Sequence, residues 1–408
     1  LGDPIKPRDV KDVETAVQWA LTQGKTLEVV GQGSKRALGR PAQTEATLDL
    51  SGLAGVTLYE PEELVLSAKA GTPLAEIERL TASRGQELAF DPIDYGPLLG
   101  VAPGLGTIGG MLASNLSGSR RLKAGAARDH FLGFTAVSGR GETFKSGGRV
   151  VKNVTGYDLC KLLAGSFGTL AVMTDVTLKT LPRAETEATV LVTGLEDGKA
   201  IGALATAVGS SCDVSAAAHL PAAVAPRMLG EAGVDRAATA MRLEGVEASV
   251  AHRTRVLCEL VRSSGELTIL EERRSRAAWL AIRDMTGFAA AGRAGDRSLW
   301  RISTAPARGA GLGRRLAALA DVELAYDWAG GLIWAAVAPS DDAGAAIVRP
   351  AVAESGGYAT LVRAPTAVRA LVPVFEPQAG PLAALTARIK ESFDPRGVLN
   401  PGRMWAGL

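Results

Sequence analysis

Residues 103–118 read PGLGTIGGMLASNLSG, and after a basic step through Arg120, Arg121, Lys123 and Arg128-Asp129 the chain runs on as KNVTGYDLCKLLAGSFGTLAVMTDVTLKTLP over 152–182. Glycine at such short intervals lets bare N–H groups come up to a charged ligand, because a residue without Cβ admits close approach and positive φ. Successive N–H groups in such turns form an anion-binding nest, and the nearby cations offset the charge of a diphosphate. A phosphate-rich cofactor fits these features. Gly104, Gly106 and Gly109 also spell GxGxxG, with Asp129 twenty residues beyond, the spacing of a nicotinamide Rossmann site. That fingerprint must follow a buried strand directly. Here the preceding residues are AFDPIDYGPLLGVAP, rich in proline and turn formers, so the context argues against it.

Two earlier loops extend the pattern. Thr26 to Val30 is a short apolar run followed by Gly31-Gln32-Gly33-Ser34-Lys35 and, later, Gly39-Arg40-Pro41. Alone, this loop is an ordinary strand-to-loop turn; in company it is a second nest, to which Ser34 adds a hydroxyl and Lys35 a charge. The stretch LVLSAKAGTPLAEIERL (64–80) supplies a further strand, a Gly71-Thr72 turn and the start of a helix.

Taken together, VVGQGSK, AGTPL, GTIGGMLASNLSG, GYDL and AGSFGTLAVMTDVTLKTLP resemble the flavin-binding domain of the vanillyl-alcohol oxidase and p-cresol methylhydroxylase (PCMH) superfamily. Within it, KNVTGYDLCKLLAGSFGTLAVMTDVTLKTLPR and the ending FDPRGVLNPGRMWAGL are most similar to the flavin-binding E subunits of glycolate oxidase, also called glycolate dehydrogenase. The resemblance implies an α+β protein: a PCMH-type two-lobed FAD-binding domain (1–182), an antiparallel-sheet cap or substrate domain of ferredoxin-like βαββαβ units (183–380), and a C-terminal segment (381–408) returning to the first domain. The expected FAD contacts are Gly31, Gln32, Gly33, Ser34, Lys35, Gly71, Thr72, Pro103, Gly104, Thr107, Ile108, Gly109, Gly110, Ala113, Ser114, Asn115, Gly118, Arg128, Asp129, Gly168, Thr169, Val172 and Asn400. Asn400 has two readings, a group beside the flavin ring and a turn residue ahead of Pro401. Relatives that tether flavin through the first glycine loop carry a histidine there; this chain has Ser34-Lys35, so noncovalent FAD is expected.

Bulk properties agree with a soluble enzyme subunit. With 408 residues, two domains are expected, each able to bury a core. A composition of 47% hydrophobic and 22% charged residues is globular, and 48 glycines suit a loop-bound cofactor. The net charge of +2 makes no case for nucleic acid. No apolar run is long enough to span a bilayer and no signal peptide is evident. Cys160, Cys212 and Cys258 are far apart without a CxxC, so disulfides are not expected, a reducing cytoplasm is, and an iron–sulfur cluster would have to sit on another protein.

Beyond Pro182, strands alternate with helices. The pattern predicts strands at 187–195, 213–220, 237–243 and 266–272 with helices at 197–209 and 246–264, a βαββαβ order. A second copy predicts strands at 298–305, 322–328, 332–338 and 357–363 with helices at 309–320 and 342–356, its central strands joined by a two-residue Gly330-Gly331 turn. A helix over 381–393 leads into the tail.

Oxidising a 2-hydroxy acid needs a carboxylate clamp, a base for the hydroxyl proton and a hydride acceptor. Arg283, in AAWLAIRDMTG, is similar to the arginine of a Trp-x-x-x-Arg stretch that holds the substrate carboxylate in D-2-hydroxy-acid dehydrogenases; Arg301, in SLWRISTAP, is the second candidate. Each also reads as an ordinary arginine beside a core tryptophan. Those dehydrogenases carry a histidine-rich metal-binding hairpin, and the corresponding AYDWAGGLIWAAV has Asp327, Trp328 and Trp334 but no histidine. His130, His219 and His252 lack ligand spacing, so no metal is expected, and Asp327 is the remaining candidate base.

Two classes stay open: a flavin subunit oxidising glycolate, with D-lactate a further candidate substrate, alongside a catalytic flavoprotein paralogue and an iron–sulfur subunit, peripheral to the inner membrane face through them; or a flavin-binding assembly or electron-relay subunit without substrate chemistry. Trp328, Leu332, Ile333 and Trp334 are expected to offer part of an apolar partner surface.

Overall fold

The computed structural model describes residues 3–149 and 156–408, so 152–155 of the KNVTGYDL stretch lie outside the described residues. The first helix, Val10–Gln23, starts where the Asp9 side chain accepts the Asp12 N–H and stops at Gly24, whose φ of 62° a residue with Cβ rarely adopts. Its face of Val13, Ala16, Val17 and Ala20 is buried with β1 (Leu27–Val30) and β2 (Ala46–Asp49), which pair in parallel. The C-terminal tail closes this layer: the Leu27 N–H donates to the Val398 carbonyl, and the Asn400 N–H donates to Leu27 O.

Beside it stands an antiparallel sheet. Its strands are β3 (Val56–Glu60), β4 (Val65–Lys69) and, beyond the short β5 (Gln86–Glu87), β6 (Phe131–Ser138), β7 (Thr143–Gly147) and β8 (Ala171–Lys179). Their order across the sheet is β3-β4-β8-β6-β7, while β5 pairs with β9 (Leu181–Pro182). The glycine-rich helix Ile108–Ser114 packs on this sheet, capped by the Thr107 side chain.

The second half forms one eight-stranded sheet. β10 (Thr186–Thr193), β11 (Ala216–Leu220), β12 (Ala238–Gly245) and β13 (Glu266–Glu271) make the first βαββαβ unit with helices Asp197–Val208 and Glu247–Val261. β14 (Ser298–Thr304), β15 (Val322–Asp327), β16 (Leu332–Val337) and β17 (Gly357–Arg363) make the second with helices Gly309–Leu319 and Ala345–Ser355. The order β13-β10-β12-β11-β15-β16-β14-β17 places two ferredoxin-like units edge to edge, joined where His219 pairs with Tyr326. Strand alternation sends Met241 and Leu243 toward the helices and Ala238 and Ala240 into a core shared with the first half. Both faces are therefore covered.

Two expectations about the β15–β16 hairpin are corrected. Asp327 pairs with Leu332, so the loop has four residues, Trp328 to Gly331; Trp328 and Ala329 take left-handed φ of 51° and 55°, held by the Asp327 carboxylate accepting the Trp328 N–H. Nor does it form a surface: Trp328, Leu332, Ile333 and Trp334 are all buried, and Trp328 Nε1 donates to Gly118 O. The hairpin is one of the contacts between the two halves. Among the described residues no helix is long and apolar enough to cross a membrane.

Candidate functional site

β1 delivers the chain into Gly31–Lys35, and this loop faces the first turns of the helix beginning at Ile108. The cavity between them, about 80 Å³, is lined by Gly31, Gln32, Gly33, Ser34, Lys35, Thr107, Gly110, Ala113 and Ser114, nine of the residues read from sequence, together with Arg36, Phe167 and Arg403. Gly31 meets the helix start closely: a Cβ on it would lie 2.6 Å from Thr107 Oγ1. A second cavity of about 70 Å³ shares Gly31, Thr107, Gly110 and Phe167 and reaches Gly109 and Gly168.

The electrostatics of this cradle call for an anion. Lys35 has Ser34 Oγ, 3.4 Å away, as its side-chain hydrogen-bond partner, and among the described residues no carboxylate ion-pairs with it. Burial pushes its ammonium down to about 8, with Asp94 pulling weakly the other way. Arg36 and Arg403 both turn toward the one Glu28 carboxylate, and burial lowers Arg403 to about 10. A diphosphate here would receive the loop N–H groups and restore the missing counter-charge.

Through Ser114 and Phe167 the cradle adjoins a larger cavity of about 510 Å³ between the two halves. Asn115 and Arg128 line it, and so do Tyr95, Arg121, Arg301, Phe375 and Trp405. Its size and apolar walls suit a planar ring system with a small second molecule.

Other residues on the sequence-derived list stand elsewhere. Gly71 and Thr72 form a packed turn: a Cβ on Gly71 would lie 2.0 Å from Leu50 O, and the Thr72 hydroxyl is spent on Lys69 O and Gly55. Pro103 and Gly104 are exposed, Gly104 donating to Asp94. Ile108 and Val172 are core residues. Gly118 donates to the Asp91 carbonyl, Asp129 caps its own helix through the Ala126 N–H, and Thr169 gives its carbonyl to Lys390. Asn400 acts from behind the cradle: its Oδ1 accepts the Val29 N–H and its Nδ2 donates to Phe167 O, tying together two cavity-lining residues. The turn reading fits this placement, with an anchoring role added.

The three catalytic candidates are not brought together. Arg301 lines the large cavity. Arg283 lines a different one, of about 270 Å³, and its Nε and Nη2 are both taken by the Asp284 carboxylate at 2.9 and 2.8 Å. Asp327 lines none of these cavities; it accepts from Ser119 Oγ at 2.7 Å and from the Trp328 N–H. Burial pushes its carboxyl up to about 7, but its neighbours make it a strut between the halves. Sequence reasoning missed Phe167, Arg403 and Tyr95; Arg403 stood visible in NPGRMW, whereas Tyr95 lay in a stretch read only for its turn formers. Among the described residues no group of His, Cys, Asp and Glu has metal-holding geometry.

Comparisons with known proteins point to FAD for this part of the chain. The FAD binding domain family matches residues 4–147. The chain is 33% identical over 396 residues, 96% of each chain, to the glycolate oxidase subunit GlcE of Escherichia coli, and 30% identical over 190 residues, 46% of this chain and 38% of the other, to the glycolate oxidase subunit GlcD of Bacillus subtilis. In structure it is similar to p-cresol methylhydroxylase (TM-score 0.68, 14% identity, covering 98% of this chain and 87% of that one) and to alkyldihydroxyacetonephosphate synthase (TM-score 0.65, 17% identity, 97% and 75%), likenesses that show the PCMH-type fold. The chain belongs to the GlcE family of glycolate oxidase subunits and carries its FAD binding domain in the first half.

Proposed function

We propose that this chain is the FAD-carrying subunit of a complex that oxidises glycolate to glyoxylate, and that it turns over only with its partners. The observation that carries the reading is the cradle of Gly31–Lys35 against Thr107–Ser114, with a half-buried lysine that has no carboxylate partner among the described residues, opening into a ring-sized cavity lined by Arg301. Bound FAD supplies a two-electron acceptor for the hydride leaving C2 of the substrate. The chain's own residues do the rest that is available here: the loop N–H groups and Lys35 hold the diphosphate, Phe167 and Trp405 exclude water, and Arg301 attracts the carboxylate.

A base is lacking. No histidine lines the large cavity, and Asp327 is turned away from it. Among the described residues lining the cavity no group is free to take the hydroxyl proton, so a partner must take it, and the electrons, with no clustered thiolates on this chain to receive them, go to an iron–sulfur partner. Turnover therefore needs a larger, catalytic flavoprotein paralogue. That relatives of this chain are named as separate glycolate oxidase subunits, GlcE and GlcD, supports a reading in which more than one subunit takes part.

The reading is tested on the purified chain. Acid precipitation should release FAD intact into the supernatant, since Ser34-Lys35 stands where a tethering histidine would be; anaerobic mixing with glycolate should then leave the flavin absorbance unbleached over the turnover time of the complex. Pigment fixed to the washed precipitate would refute the noncovalent site, and rapid bleaching would refute the need for partners.

Lys35 makes FAD affinity pH-dependent. Its value of about 8 in the free chain rises when the diphosphate restores a counter-charge, so binding takes up a proton wherever free Lys35 is neutral. Affinity is full below pH 8 and declines above it, by up to about tenfold per pH unit until the raised value is reached. Titrating the apo-chain with FAD from pH 7 to 10 checks this; Lys35→Met should bind more weakly at pH 7 and show a flat profile.

A further inference from the structure

Two of the arginines lining the large cavity have no ion-pair partner among the described residues. Arg121, at the start of the short helix after Arg120, and Arg301, on β14, both lie over the Trp328 ring, their guanidinium carbons 4.7 and 4.9 Å from a ring centroid. Both are half-buried. Among the described residues neither is in an ion pair or a side-chain hydrogen bond, whereas Arg120, next in sequence, has Glu87 and Glu244. Burial and the like charge of Arg301 hold Arg121 below the ordinary arginine value. The nearest wall carboxylate is unavailable, because Glu376 accepts from Arg349 and from the Ala359 N–H. The other polar side chains on the wall, Ser114, Asn115, Arg128, Tyr358, Thr360 and Gln378, add no negative charge.

The same cavity contains an orphaned hydroxyl. Tyr95 is 2% exposed, its ring packed edge-on against Trp334 at 5.8 Å, and its hydroxyl has no hydrogen-bond partner. A buried hydroxyl without a partner is costly, so its retention beside two unpaired cations points to a ligand that supplies one. Burial pushes this phenol up to about 12, with Arg301 opposing, so at neutral pH it donates a hydrogen bond and does not accept a proton.

We propose that Arg121, Arg301 and Tyr95 form a binding site for a small 2-hydroxy or 2-oxo carboxylate, the guanidiniums over Trp328 taking the carboxylate and the Tyr95 hydroxyl donating to the oxygen on C2. The proposal rests on the reading of the chain as a glycolate oxidase subunit and adds to it the residues that choose the substrate. Trp328 holds the two cations in place, and it is itself fixed by its Nε1 bond to Gly118 O. An unsubstituted carboxylate would satisfy the arginines and leave Tyr95 unpaired. The site thus discriminates in favour of an oxygen on C2.

The test is calorimetric titration of the FAD-loaded chain with acetate, glycolate and glyoxylate. Glycolate and glyoxylate should bind more tightly than acetate. Arg121→Gln and Arg301→Gln should each weaken all three ligands by about tenfold or more, the scale of a lost charge-assisted bond. Tyr95→Phe, which keeps the packed ring, should weaken glycolate and glyoxylate about threefold to tenfold and leave acetate unchanged. A purely structural Tyr95 would instead move all three ligands equally or none, and that would overturn its role. Absence of any carboxylate binding by a chain that still carries FAD and supports glycolate oxidation in the complex would overturn the site while sparing the function. The expected binding pattern in a chain whose complex does not oxidise glycolate would do the reverse.

Discussion

Gly109→Val is expected to remove the flavin by disrupting the fold, lowering stability by about 4 kcal/mol or more. A Cβ at this position would lie 2.7 Å from the Ala70 Cβ and 2.8 Å from the Ala70 carbonyl, which also accepts the Gly109 N–H at 2.8 Å. Helix and strand end are in backbone contact there, and a branched side chain forces them apart. Gly110→Ala is the informative neighbour. Its Cβ would face the cradle, 3.1 Å from Thr107 Oγ1 and 3.6 Å from Lys35 Nζ, so the fold should survive while FAD affinity falls. Urea unfolding of both apo-variants, with flavin content measured in parallel, separates the two effects; equal stability of Gly109→Val and wild type would show that the helix is not seated as described.

Asp394→Ala should be nearly as damaging. One oxygen of this buried carboxylate accepts the Val398 N–H; the other accepts the Leu399 N–H and Lys390 Nζ at 2.8 and 2.7 Å. Lys390 also donates to Thr169 O and Leu399 O, so the pair fastens the helix Gly380–Phe393, the SFGT loop and the tail together. Removing one member of a buried pair leaves an uncompensated charge and costs about 3–5 kcal/mol. The loss continues into the site, because the tail carries Asn400, which holds Val29 and Phe167 at the cavity wall. The expected result is a destabilised chain that also binds FAD weakly. Denaturant unfolding should show a lower midpoint and flavin titration a higher dissociation constant; a change in neither would remove the C-terminal segment from the account of the cradle.

The parts of this fold that are local in sequence were legible there. Apolar alternation and helical spacing located both βαββαβ units, since each strand's pattern reports its own burial. The joining of the units through β11 and β15 was not, because it rests on a single pairing, His219 with Tyr326, between residues far apart in the chain. Glycine spacing found the cradle but did not separate glycines that face the cavity, such as Gly110, from those that let backbone pack on backbone, such as Gly71. Both kinds look alike in sequence. Arg283 was misleading for a similar reason: the Trp-x-x-x-Arg pattern is present, yet the adjacent Asp284 takes the guanidinium. Tyr95 could not be found from a pattern at all, for its significance lies in an absent partner.

The central claim is that FAD held by this chain lies on the route of electrons out of glycolate. The direct measurement is glycolate-dependent dye reduction by the reconstituted complex, made once with the FAD-loaded chain and once with Gly110→Ala or Lys35→Met protein stripped of FAD but still assembled. The account predicts full turnover with the loaded chain, little with the stripped one, and none from the loaded chain alone. Undiminished turnover by a complex whose copy of this chain holds no FAD would contradict it.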